Sequence, residues 1–316
     1  MMKKDYTHPV QECDVEDRQA LEVFRLKRAK WIDWLDTDPD HAIWPTIHGL
    51  VWREVSYSTI AHVGDGYPGG ALNNSLIGEA ILDGHVTLQV LAIRRLVDTT
   101  KNVISLQKLL QEIRANSRLL TRENYVCFDG LPYDYARVQQ EELVSYTGGA
   151  RWAKTTGPGA WSAAERAHKH FDRLAGVAPK GRARTDRICL EIIDRIDQWM
   201  EESGADEITK WSHAYLAHAG SPSSRQALGD YGLKGNAIKA AIRSLACVAE
   251  AISAEILYNG GRMNALMPTA QFNPLACLER PALRPGGLEV ATDHWRSECN
   301  RYDRLLSDVR KDLFQS

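Results

Sequence analysis

The segment from Lys234 to Tyr258 leaves the chain the least freedom. Its apolar residues Ile238, Ile242, Leu245, Ala249, Ile252 and Ile256 recur at alternating steps of four and three. A helix turns once in about 3.6 residues, so all six fall on one stripe, whereas a strand would scatter them over both faces. A stripe of this length, closed by Asn259-Gly260-Gly261, must bury one side against other helices. It reads as the longest helix of the chain.

The same period recurs upstream and downstream. Residues 17–36 carry Ala20, Val23, Phe24, Lys27, Trp31, Trp34 and Leu35 on a stripe that Asp38-Pro39-Asp40 stops. Ile77, Ile81, Gly84, Leu88, Leu91 and Arg95 form a second stripe, and Leu106–Ile113 a short third. Ser162-Ala163-Ala164-Glu165 has the form of a capping box and opens a helix to about Ala175, ended by Gly176 and Pro179. Arg182, Arg184 and Arg187 open another, with Ile188, Ile192, Ile196 and Trp199 on one face and Gly204 at its end. A further helix covers about Ala205–His218, with Ile208, Trp211, Tyr215 and His218 on one stripe, and Ser221-Pro222-Ser223-Ser224 is a loop after it. A last amphipathic helix runs from about Leu288 to Phe314.

The intervening segments are the Gly/Asn-rich loop 64–74, a second glycine-rich loop at 147–159 and the proline-rich stretch 261–286. One segment breaks the helical pattern. Tyr125-Val126-Cys127-Phe128 is β-prone and Asp129-Gly130 is a hairpin-turn signal, although Pro132 leaves an extended loop as the alternative. No repeat and no linker stand out. The expected fold is all-α: a helical bundle over 76–260, an N-terminal helical extension with its loop over 1–75, and an irregular segment ending in a helix over 261–316.

Composition narrows the function. Lys and Arg number 39 against 41 Asp and Glu, which excludes holding nucleic acid by bulk positive charge. Any contact to nucleic acid must instead come from local clusters such as Arg182/Arg184/Arg187 or Arg94/Arg95. The six cysteines lie no closer than 22 residues apart, so they form neither a metal knuckle nor a compact disulfide framework and read as reduced thiols. The first residues lack an apolar signal core, and the apolar runs are too short to span a bilayer. The expected setting is soluble and cytoplasmic, with no membrane partner.

Phosphate loops, dinucleotide fingerprints, H-E-x-x-H and G-x-S-x-G are all missing from the sequence, so no cofactor or metal is expected. His168 and Asp172, at i and i+4, share a helix face and could begin a metal site, but a third ligand must come from afar. The plainer reading is an exposed His–Asp pair over Phe171 and Leu174. In the helix ending at His218, His213 falls about 140° and Lys210 about 80° from His218 at roughly 100° per residue.

The fragments HVTLQVLAIRRLVD, TRENYVCFDGLPYDY, ERAHKHFDRLAG and KWSHAYLAHAGSPSSR, in that order, resemble the HEPN-type helical proteins of bacteria, notably the abortive-infection subgroup. The resemblance covers about residues 76–258. It implies an α-helical bundle, often dimeric, that binds or cuts RNA without a metal. In active members an arginine precedes a histidine by a turn or two near the dimer interface. The histidine moves a proton as the ribose 2′-hydroxyl attacks, and the arginine steadies phosphate charge.

His218 matches that histidine, but Ser212 stands where the arginine would fall. The resemblance then makes His218 and Lys210 the catalytic candidates and Arg94, Arg95, His213 and Arg225 the RNA or phosphate contacts, although Arg94 and Arg95 also read plainly as partners of Asp98. It implies a ribonuclease of a defence or toxin–antitoxin system, with RNA, a second copy of the chain and an antitoxin or defence protein as partners. The alternative is a non-catalytic helical adaptor, or an RNA- or nucleotide-binding subunit with a degenerate site.

Overall fold

The computed structural model describes residues 6–145, 148, 154–217, 222–226, 233–261, 266–267, 271, 273–276, 280, 282–283 and 285–314. Among them there is no strand; one isolated antiparallel bridge joins Thr121 and Arg187. The helices are α1 Arg18–Ile32, α2 Ile43–Gly66, α3 Ser75–Val97, α4 Leu106–Ala115, α5 Arg122–Cys127, α6 Tyr135–Val144, α7 Trp161–Ala175, α8 Leu190–Glu201, α9 Ala205–Ser212, α10 Pro222–Gln226, α11 Gly235–Glu250 and α12 Gly287–Phe314. Helices α1, α9 and α11 each continue into a wider π turn, at Asp33–Thr37, His213–Ala217 and Ala251–Ile256. The all-α expectation holds. The longest helix is not α11 with its π extension, since α12 has 28 residues and α2 has 24.

The chain forms two compact units, residues 1–59 with 80–268 and residues 60–79 with 269–316. In the first, α1 lies in the core: Leu21, Phe24, Trp31 and Leu35 are buried together with Ile238, Leu245, Val248 and Ile252 of α11 and its extension. Arg28, buried on α1, donates through Nε and Nη2 to the Leu257 carbonyl at 3.2 and 2.8 Å. In the second unit the 67–73 connection closes on itself, Gly70 N–H donating to the Tyr67 carbonyl and the Asn73 amide to the Gly64 carbonyl.

Residues 121–128 are neither hairpin nor extended loop. Thr121 caps α5, its hydroxyl accepting from the Asn124 N–H. The Arg122 and Glu123 N–H groups, left without partners inside a helix start, donate to the Asp186 and Arg184 carbonyls at 2.8 and 3.2 Å. The β-prone residues Tyr125, Val126 and Cys127 are therefore buried on a helix that docks by its N-terminus on the 184–188 segment. Tertiary packing overrides their propensity.

Three other expectations are corrected. Helix α7 begins at Trp161 with Ala160 as its cap, so Ser162 lies in the first turn and the capping box does not form; Glu165 pairs with Lys169 instead. Arg182, Arg184 and Arg187 precede α8 rather than opening it, and α8 buries Ile193, Ile196 and Met200 while Trp199 is exposed. Residues 222–226 form a short helix where a loop was expected.

A buried charge network joins α5, α7 and the 182–186 segment. The Arg122 side chain is 0% exposed. Its Nε donates to Asp186 Oδ2 and its Nη1 to Asp172 Oδ1, both at 2.8 Å, and its guanidinium lies 4.9 Å from the Phe171 ring. Arg182 forks onto the same Asp172, and Arg184 reaches Asp14, Glu16 and Glu123. Burial pushes the Asp172 carboxyl up, but Arg182 and Arg122 outweigh it and hold the carboxyl below the usual range.

Phe171 and Leu174 face the core as expected, but His168 is buried and Asp172 half-buried, so the pair is not exposed. His168 is 1% exposed, donates Nε2–H to the Tyr133 carbonyl at 2.9 Å, and has its pKa pushed down from 6.5 to about 4 by burial, against the opposing pull of that hydrogen bond. Asp172 gives its oxygens to two arginines rather than to a metal.

Two outcomes follow from this packing. Arg122→Met strands Asp186 without its guanidinium partner and should cost about 3–5 kcal/mol in urea unfolding, whereas Arg137→Met, in an exposed pair with Glu141, should cost about 0.5 kcal/mol or less. For His168, the unfolded chain binds the extra proton between pH 6.5 and about 4, so stability should fall as pH drops through that window, by roughly 3 kcal/mol in all. His168→Gln should remove that slope. A slope unchanged in the variant would place the titrating group elsewhere.

Candidate functional site

Helix α3 decides where a site can form. Its apolar residues surround much of the helix, and the face it buries is Gln89, Val90, Ala92, Ile93 and Leu96. The Gln89 amide donates to the Leu50 carbonyl of α2 at 3.0 Å, which fixes that rotation. The second half of the Ile77–Arg95 stripe therefore faces outward: Leu88 is 52% and Leu91 38% exposed, with Gly84 and Arg95 also exposed, while Ile77 and Ile81 are half-buried. By length and composition α3 is also apolar enough to cross a membrane, so the reading that no run is long enough is corrected. Uninterrupted apolar runs underestimate it, because isolated polar residues such as His85 divide one continuous helix.

The end of α3 carries Arg94 and Arg95, both in its last turn, where cations complement the helix dipole. Asp98 follows. Its carboxyl is held low chiefly by the Thr100 N–H, which donates at 2.8 Å, with Arg94 adding a smaller favourable field. Arg95 donates to His41 Nδ1 rather than to Asp98.

Among the described residues, three concavities surround this end, all within the first unit. One of about 550 Å³ is lined by Arg94, Asp98, Gln107, Gln111, Glu201, Asp206, Thr209 and His213, among others. A second of about 440 Å³ is lined by Arg53, Leu88, Leu91, Ala92, Arg94, Arg95 and Asp98. A third of about 450 Å³ includes His41, Arg95, Asp98 and Asn102. Each falls in the size range of ordinary ligand pockets.

The sequence candidates divide. Arg94 and His213, distant in sequence, line the same cavity. His213 is exposed and begins the π turn that widens α9, so the 100°-per-residue wheel drawn through His218 ends at Ser212. Lys210 is exposed on the last turn of α9 and lines none of the three concavities. Arg225 is exposed on α10, and His218 lies outside the described residues. The cluster Arg182/Arg184/Arg187 is not a free basic patch: Arg182 and Arg184 are committed to Asp172 and to Asp14, Glu16 and Glu123. Among the described residues no group of His, Cys, Asp and Glu is arranged to hold a metal, and the five described cysteines are free.

Arg53 was missed. It lies on α2, whose Pro45 and scattered glycines obscure the helical period, and the only legible signal was a lone Arg-Glu pair in an apolar stretch. Compared across protein-family models, curated proteins and solved structures, the chain finds no match.

Residues that serve a ligand rather than the core should be dispensable for stability. Arg94→Gln and Lys210→Gln should each leave the unfolding free energy measured in urea within about 0.5 kcal/mol of the parent chain. A loss comparable to that of Arg122→Met would make Arg94 a structural residue.

Proposed function

We propose that this chain is a HEPN-like protein of a bacterial defence or toxin–antitoxin system that works on RNA in the cytoplasm as a metal-independent endoribonuclease. The observation that carries the reading is the shared cavity of Arg94 and His213. It supports a guanidinium supplied from α3, in place of the one that Ser212 lacks.

On this reading Arg94 forks onto the scissile phosphate and Lys210 adds a point charge. Arg95 and Arg225 extend the phosphate path. His218 takes the proton of the ribose 2′-hydroxyl as that oxygen attacks phosphorus. The bond to the 5′-oxygen breaks, leaving a 2′,3′-cyclic phosphate and a 5′-hydroxyl. His213, which lines the same cavity as Arg94, hydrogen-bonds the phosphate, and the proton taken by His218 passes to the departing 5′-oxygen. A second copy of the chain and an antitoxin or defence protein are the protein partners.

Two observations favour a second reading, a non-catalytic RNA- or nucleotide-binding subunit. Lys210 stands outside all three concavities, and Asp98, Glu201 and Asp206 share the cavity with Arg94.

Incubation with a mixed RNA pool in excess chelator separates the two. The nuclease reading expects fragments ending in 2′,3′-cyclic phosphate, slowed about 10²-fold or more by His218→Ala. Intact RNA, or equal cutting by His218→Ala, defeats it. RNA bound but uncut supports the second reading.

A further inference from the structure

We propose that the cleft between α2 and α3 is a nucleotide-binding site in which Arg53, Arg94 and Arg95 take the phosphate and Leu88 and Leu91 form the apolar wall for the base and sugar. It shares Arg94 with the RNA reading but needs no cleavage chemistry.

Three guanidinium groups from two helices line this cleft with one carboxylate, Asp98. Asp98 already accepts from the Thr100 N–H. The lining therefore has an excess of positive charge. Among the described residues, Arg53 Nε is buried without a hydrogen-bond partner, and desolvation lowers its pKa.

A buried guanidinium nitrogen lacking an acceptor is costly, and a phosphate oxygen is the acceptor that matches a guanidinium fork. Gly49, one turn before Arg53, makes room for that side chain: a Cβ at 49 would stand 3.1 Å from Arg53 Nη1. The apolar side of the cleft is the outward stripe of α3, where Leu88 and Leu91 stand exposed beside the arginines. Arginines alone would suit any anion. Arginines beside an apolar wall, in about 440 Å³, suit a phosphate joined to a ring-bearing body.

The phosphate has two sources, a free nucleotide or a residue of an RNA strand. The full chain is titrated with inorganic phosphate, 5′-AMP, ATP and a labelled 2′-O-methyl oligoribonucleotide, which lacks the attacking hydroxyl. Binding of 5′-AMP or ATP more tightly than phosphate identifies a free nucleotide as the ligand. Binding of the oligonucleotide alone identifies a strand.

In either case Arg53→Gln should weaken binding about tenfold or more. Leu91→Glu, an exposed change that leaves the arginines in place, should do the same. Circular dichroism confirms that each variant is folded. No binding of any probe overturns the proposal, as does binding by folded Arg53→Gln and Leu91→Glu equal to that of the parent. Nucleotide binding by a chain that leaves unmodified RNA intact defeats the nuclease reading alone, and RNA cleavage by a chain that binds none of these probes defeats this site alone.

Discussion

Arg122 is the interaction on which the first unit depends. Its guanidinium is taken wholly out of water, a cost that only close, well-aligned carboxylates offset. Asp172 on α7 and Asp186 in the following segment supply them at 2.8 Å each. Because α5 also gives its first two N–H groups to the 184–186 backbone, the same contact closes a helix end that would otherwise leave donors unpaired. Tyr125 on α5 then donates its hydroxyl to the Glu255 carbonyl at 2.7 Å, and Arg28 on α1 reaches Leu257. The helices are thus pinned at polar points set within an apolar core. This costs more to assemble than a purely apolar core but leaves one register available.

The candidate site lies away from these buried polar points. The end of α3 carries its arginines at the surface, and its outward stripe stays apolar. The face turned inward is fixed by Gln89 on Leu50 and by Ile93 in the core, so Leu88, Leu91 and Arg95 have no intramolecular packing role comparable to that of Ile93. Arg94 stands at the junction, lining both the cavity with His213 and the cleft with Arg53. A phosphate bound at either place would feel the other through that one side chain.

Much of the fold was legible in the sequence. The stripes of α1, α4, α7 and α11 are helices, because a 3.6-residue period admits little else. What failed did so for definable reasons. In α3 the residues off the expected stripe, Val90, Ala92, Ile93 and Leu96, are also apolar, and periodicity alone does not say which face turns inward. Around Tyr125, β propensity yielded to a cap from Thr121 and to buried hydrogen bonds from another segment, neither visible as a local pattern. The arginines at 182 and 184 looked like a free basic patch because Asp14 and Glu123 are far away in sequence and Asp172 lies on the preceding helix, α7. Of the candidate site, Arg94, Arg95 and His213 were legible as residue types, but their relation to α2 was not. Arg53 became visible only once α2 was laid beside α3.

Hydrogen exchange of the full chain with and without a saturating 2′-O-methyl oligoribonucleotide tests the central claim most directly. The account predicts slowed exchange over the last two turns of α3 and at Thr209–His213, with α5 and α7 unchanged. Slowed exchange confined to other segments, with α3 unaffected, would contradict it.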